Sequence, residues 1–228
     1  MIILHIETST NVCSVALSED SACLFSTFNA EGMNHAALLS VFIAEALKVL
    51  KSTGKKLDAV AVSSGPGSYT GLRIGVSTAK GLCYGYGIPL IAVSTLEILT
   101  VQALNEVTDK ENALFCPMID ARRMEIYAAF YNSIGVIQRE ISADIITSGS
   151  YAEILAIHPV YFFGNGADKC KSTLTHPNAR FLDHLVPLAE NMILFSEKAF
   201  SEKKFVDTAY FEPFYLKEFQ TTASKKTT

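Results

Sequence analysis

The chain has 228 residues, of which 49% are hydrophobic and 18% charged, with a formal net charge of −4. Its length admits one large domain or two small lobes, and a mean hydropathy of +0.25 leaves more apolar surface than a monomer of this size needs. The acidic balance argues against this chain holding a nucleic acid unaided, because phosphate contacts need clustered Lys and Arg.

Residues 2–6 (IILHI) and 12–17 (VCSVAL) are apolar, β-branched runs joined by the polar stretch Glu7-Thr8-Ser9-Thr10-Asn11, which predicts a hairpin with a wide turn. A third strand follows at 22–28. The segment 35–50 (HAALLSVFIAEALKVL) has helix-forming composition, with only His35, Ser40, Glu45 and Lys48 strongly polar. A helix so apolar must be covered on two sides. Residues 57–62 predict a buried strand that runs into the turn-forming loop 63–71, with a helix over 72–84. Gly71, Gly75 and Ala79 recur at four-residue spacing, so one stripe of that helix permits close approach by a neighbour. A strand at 90–93 and a helix at 95–105, capped by Ser94 or Thr95, complete the first half. The polar segment 108–112 is the best linker, which divides the chain into lobes at 1–107 and 108–211.

Beyond the linker the opening pattern recurs. Ile6-Glu7-Thr8-Ser9-Thr10 through Val15-Ala16-Leu17 aligns without gaps onto Ile119-Asp120-Ala121-Arg122-Arg123 through Ala128-Ala129-Phe130. A strand, acid, turn and strand in each half suggest duplication, although any two hairpins look alike over so few residues. Residues 161–167 (YFFGNGA) predict a strand entering a glycine turn at a helix start, and 221–228 (TTASKKTT) predict a disordered tail.

The candidate chemistry is sparse. Glu7 and Asp120 each end a first strand and open a turn; acids so placed hold hydrated magnesium in two-lobed ATPases, where glycines in the turn bring backbone N–H groups to phosphate. Neither turn here (7–11 or 120–124) contains glycine, and the competing reading is that the acids cap turns and pair with arginines. Thr8 and Arg122 belong to the same turns. The loop from Gly65 through Gly67 to Gly71 could hold an anion at a helix N-terminus, yet it lacks the Lys-Ser/Thr ending of a P-loop, and Ser68 or Thr70 serves equally as an N-cap. Arg73 opposes the helix macrodipole at a cost of about 0.3–1 kcal/mol, so an acid, an anion or a partner carboxylate should compensate it. His5, His35, His158, His176 and His184 show no metal-ligand spacing, and no nucleophile motif occurs. No catalytic or metal-binding residue is assigned. The five cysteines form no CxxC pair and read as reduced core residues; with no apolar run of membrane-spanning length and no basic leader, the expectation is a cytoplasmic protein.

The segments HIETSTNVCSVAL (5–17), SSGPGSYTGLRIGVSTAKGL (63–82), IPLIAVSTLE (88–97), PMIDARRMEIYAAFY (117–131) and EPFYLKEF (212–219) together resemble the TsaB family, also called YeaZ, over nearly the whole chain. The resemblance implies an α/β fold of the duplicated, two-lobed ASKHA type found in actin, Hsp70 and sugar kinases, with a degenerate nucleotide site and a C-terminal segment (212–220) packing back towards the first lobe. It implies a scaffold for threonylcarbamoylation of adenosine 37 of tRNA, with TsaD and TsaE as partners and with a homodimer through the same surface in the absence of TsaD. On that reading tRNA is contacted only indirectly, no cofactor is tightly bound, and ATP and magnesium act through partner subunits. The metal ligands of the sister TsaD fall on Thr95 and Leu99 here, neither of which holds a metal. The partner surface is expected on Leu38, Leu39, Phe42 and Ile43 of the first helix and on Gly71, Gly75 and Ala79 of the second. Rival readings are an autonomous ASKHA phosphotransferase and, behind it, a metallopeptidase.

Overall fold

The computed structural model describes residues 1–32 and 34–215; the expected tail at 221–228 and most of the expected 212–220 segment lie outside them. The chain opens with β1 (Ile2–Glu7), β2 (Cys13–Glu19) and β3 (Ala22–Asn29), followed by α1 (His35–Thr53), β4 (Ala59–Gly65), α2 (Tyr69–Tyr86), β5 (Leu90–Ser94) and α3 (Thr95–Glu106). The second half repeats the series with β6 (Leu114–Asp120), β7 (Glu125–Asn132), β8 (Ile137–Ile145), α4 (Ala152–Ile157), β9 (Val160–Phe163) and β10 (Ala179–Phe181), and then adds α5 (Ile193–Ser201).

The first sheet has the order β3-β2-β1-β4-β5 and the second β8-β7-β6-β9-β10. In each, the first strand pairs antiparallel with the second and parallel with the fourth. The suspected duplication is therefore a duplication of topology, and the molecule has the two-lobed ASKHA architecture. The gapless alignment of the two hairpins needs one correction. Glu7 pairs with Ser14 across seven residues, whereas Asp120 pairs with Ile126 across six. The second turn is one residue shorter, and Val15 corresponds to Tyr127 rather than Ala128. A slip of one residue would reverse every side chain between the two faces of the sheet.

Alternation along the strands divides the first sheet cleanly. Leu4, Ile6, Val15, Val60 and Val62 face α1 and α2, while Ile3, Ala59, Ala61, Ile91 and Val93 face α5 and the far side of α3. Consecutive strand residues are buried because both faces are covered. The helix α3 serves both lobes. Its Ile98 enters the core beneath the first sheet, and its Leu96, Leu99 and Ala103 enter the core of the second with Phe115, Ile119 and Phe163. The lobes are thus bolted through one shared helix.

Two predicted boundaries move. The second helix begins at Tyr69 rather than 72, because Ser68 is extended and its side chain accepts the Gly71 N–H; of the two candidate caps, Ser68 is the one used. The second lobe, expected to run to 211, gives the chain back to the first lobe much earlier. From Ala189 onward the backbone lies against the first sheet: Ala189 N–H donates to Ser14 Oγ at 3.1 Å, and Val206 bridges to Leu90 on the outer edge of β5. His5, in the middle of β1, meets Ser18 Oγ at 2.9 Å and Ser196 Oγ of α5 at 3.4 Å, which places a neutral imidazole in a buried polar chain. The helix expected after 161–167 is only the 3-10 turn Asp168–Cys170. Among the described residues no helix is long and apolar enough to cross a membrane.

Candidate functional site

In the first lobe the turn after β1 would carry the nucleotide chemistry of this fold, and here it is sealed. Glu7 is 0% exposed. Its Oε1 accepts the Ser9 N–H at 2.5 Å, while Oε2 is buried without a hydrogen-bond partner. Burial pushes its pKa up to about 7, against hydrogen bonds from Ser9 and Ser63 that hold it down. Thr8 Oγ1 donates to the Gly71 carbonyl at 2.8 Å, and Ser9 O accepts the Ser68 N–H at 2.6 Å. His35 Nε2 donates to the Thr10 carbonyl at 2.7 Å. The turn is thus wrapped by the loop before α2 and by the start of α1.

This wrapping explains the glycine-rich motif without a ligand. A Cβ on Gly71 would strike the Thr8 carbonyl, and one on Gly75 would strike Thr8 Oγ1; Gly67 stands equally close to Ser9. The small residues let the helix backbone lie directly on the turn. Gly65, with φ +105°, lies against the Phe214 carbonyl, and the Phe214 N–H donates to Ser64 O at 2.7 Å. A segment from the end of the chain therefore covers the loop that was a candidate for anion binding.

Of the two readings of the paired acids, the structure has both capping turns. Asp120 Oδ1 accepts the Arg122 N–H at 2.9 Å, as Glu7 does for Ser9. The expected pairing with arginine is corrected: Asp120 forms an ion pair with Lys169, whose ammonium also donates to the Glu125 carbonyl at 2.6 Å. Arg122 and Arg123 stand exposed on a tight turn at φ +72° and +49°. Asn165 Oδ1 accepts the Asp120 N–H at 2.9 Å, so the glycine turn after β9 supports the hairpin. Lys169 and Asn165 lie 45 residues or more from Asp120, and no local pattern announces them.

Thr95 and Leu99 are fully buried, and Leu99 packs against Gly164 within the second core. Among the described residues no three His, Cys, Asp or Glu side chains gather in a metal-binding group.

The structure places most of the residues expected at the partner surface inside the lobe. Leu39 and Ile43 are 2% and 5% exposed and belong to the core under the first sheet, with Leu38 and Phe42 half-buried beside them. Gly71, Gly75 and Ala79 are buried, the two glycines on the β1–β2 turn and Ala79 in the core of their own lobe. The apolar stripe and the small-residue stripe are spent inside the lobe. What α1 and α2 present outward is different: Ala37, Ser40, Val41 and Ala44 on one, and Arg73, Ser77, Gly81 and Tyr84 on the other, the last 89% exposed. A shallow groove of about 590 Å³ runs between Ala36 and the outer side of α2.

A family model described as TsaD, tRNA N6-adenosine threonylcarbamoyltransferase, matches residues 30–222. The tRNA threonylcarbamoyladenosine biosynthesis protein TsaB of Bacillus subtilis (strain 168) is 30% identical over 168 residues, 72% of this chain and 71% of that one. The protein of the same name in Escherichia coli (strain K12) is 36% identical over 132 residues, 58% of this chain and 55% of that one, so the matched part spans little more than half of that relative. A crystal structure from Pseudomonas aeruginosa, described as an uncharacterized protein with similarity to peptidase YEAZ, superposes with a TM-score of 0.81 at 26% identity, covering 95% of this chain and 99% of that one. The shared strand order, the GPGSYTGLRIG loop locked on the β1–β2 turn and these likenesses lead to one assignment: the chain belongs to the TsaB (YeaZ) family of the TsaD-like superfamily.

Proposed function

We propose that this chain is a non-catalytic scaffold in the formation of N6-threonylcarbamoyladenosine in tRNA. It holds a TsaD-type transferase through the outer face of α1 and α2, and the pair so formed recruits TsaE. ATP and magnesium are used on the partner subunits. The observation that carries the reading is the sealed turn: Glu7, Thr8, Ser9 and Thr10 are buried under α2 and His35, where an ATPase of this fold exposes backbone to phosphate. Leu99 in place of a metal ligand supports it, as do the names of the relatives. The outer helix face, with small residues flanking Val41 and Tyr84, offers close approach to a second helix pair.

The test is reconstitution of tRNA modification from the host's TsaD and TsaE with and without this chain. Activity is expected only with it. Full activity in its absence ends the proposal. The face is tested separately by Val41→Asp combined with Ser77→Glu, both exposed positions, which should abolish co-purification with the transferase while leaving thermal stability unchanged.

A further inference from the structure

Arg73 is the residue whose sequence position asked for an explanation, and the structure gives half of one. Its guanidinium carbon lies 4.1 Å from the centroid of the Tyr69 ring, its Nε donates to Tyr215 Oη at 3.3 Å, and the two tyrosine rings are 5.0 Å apart. Tyr215 reaches this place because the end of the chain is strapped along α2: Lys80 Nζ donates to the carbonyls of Ala209 and Phe211 at 3.0 and 3.1 Å, and Phe214 is bonded to Ser64. One face and one edge of the guanidinium are thus fixed. Arg73 forms no ion pair among the described residues; Glu212 on the strap acts on it only through space, without a contact. Its remaining N–H fork stands at the rim of the groove lined by Ala36, Thr70, Ile74, Ser77 and Thr78.

Two features decide the chemistry of what meets it. A planar fork already held in place loses little freedom on binding and matches a carboxylate with two parallel hydrogen bonds. The helices around it are poor in acid, with none on α2 and only Glu45 on α1, and Glu212 of the strap makes no ion pair with Arg73, so the fork remains open to an anionic partner. The groove is floored by small side chains, which suits a helix laid against it. We propose that Arg73 is the anion-reading contact of the α1–α2 face: it takes a carboxylate carried on a helix of the transferase partner, with Tyr69 and Tyr215 as positioning residues. The proposal rests on the partner reading above and names the chemistry of its contact.

The experiment titrates the full-length chain against the host's TsaD-type transferase by calorimetry at two salt concentrations, with Arg73→Ala, Arg73→Lys and Tyr215→Phe beside wild type. Arg73→Ala should weaken binding by about thirtyfold, the effect of a buried arginine hot spot. Arg73→Lys keeps the charge but loses the fork, and should weaken binding by about tenfold. Tyr215→Phe keeps the ring contact and loses only the hydrogen bond, so a smaller loss of a few fold is expected. The wild-type affinity should fall with salt more steeply than that of Arg73→Ala. Arg73 lies beyond the first turn of α2 and is exposed, so the melting temperature of Arg73→Ala should fall by no more than the loss of its contacts to Tyr69 and Tyr215, a degree or so shared with Tyr215→Phe, which separates lost recognition from lost fold. Arg73→Ala binding within about threefold of wild type, while Val41→Asp with Ser77→Glu abolishes it, overturns this inference and leaves the partner reading standing. If neither variant changes binding, the partner reading itself fails. Weakened self-association with unchanged transferase binding also overturns the inference.

Discussion

Replacing Glu7 with Gln removes one ionisable group from the sealed turn and keeps its shape. The folded chain holds the Glu7 proton up to about pH 7, against 4.5 for a solvated glutamate, because burial disfavours the charged carboxylate. Between those limits the folded state binds more protons than the unfolded one, so stability falls as pH rises. The contribution is fully present below pH 4.5, is lost by about pH 7 and changes no further above it. At about 1.4 kcal/mol per pH unit, the window amounts to about 3 kcal/mol. The groups facing this carboxylate do not share the titration: Ser9 and Ser63 are hydroxyls, and burial pushes the Cys13 thiol up to about 11. Glu7→Gln keeps an acceptor for the Ser9 N–H and places an uncharged amide where Oε2 lacks a partner. The assay is thermal melting of both proteins from pH 4 to 8.5. At pH 8 the variant should be more stable by about 3 kcal/mol, or about 6–12 °C for a chain of this length. The advantage should shrink with falling pH and vanish near pH 4.5. A difference that stays constant across the range refutes the buried, proton-holding Glu7.

The remaining predictions concern packing and one opposing titration. His5 is held down to about 3 by burial, so it contributes stability that is present above pH 6.5 and is lost as pH falls towards 3; melts of His5→Gln should lack this acid slope of about 1.4 kcal/mol per unit. Gly75→Ala drives a methyl into Thr8 Oγ1 and should cost about 1–3 kcal/mol in urea unfolding. Adding Thr8→Ala should recover part of that loss, making the pair non-additive. Placing a histidine pair in this interior with Thr95→His and Leu99→His should destabilise the chain by about 2–5 kcal/mol, because Leu99 fills the second core. Stoichiometric metal after dialysis in a stable variant would contradict that packing argument.

The strands and helices of the first lobe were legible because each buries a periodic face, and the glycine loop because turn formers cluster in it. The use of those faces was not legible. An apolar helix face reads the same whether it meets its own sheet or another protein, and only the register of α1 on the sheet reveals that Leu39 and Ile43 point inward. The stripe of Gly71 and Gly75 likewise signals close approach without naming the neighbour, which proved to be the Thr8 turn. Long-range pairings left no trace in local pattern: Lys169 with Asp120, His35 with Thr10, and the return of residues 189–215 to the first sheet. The hairpin repeat was visible, but its one-residue gap emerged only from the strand register.

These features together give the glycine-rich motif a structural role in this fold. In an ATPase of this architecture the lobes must move about a hinge to admit and release nucleotide. Here α3 places Leu96, Leu99 and Ala103 in one core and Ile98 in the other, so opening the cleft would strip apolar side chains from a packed interior. Residues 189–215 reinforce the restraint by crossing from the second lobe to the first and covering the loop at Gly65. The glycine loop fastens α2 to the β1–β2 turn and thereby fixes the angle at which α1 and α2 face solvent. A rigid body with a fixed helix pair is what a positioning subunit requires, since a partner docked on a moving surface would inherit its motion. Loosening the lock at Gly75 should therefore weaken partner binding although the substitution touches no outward residue.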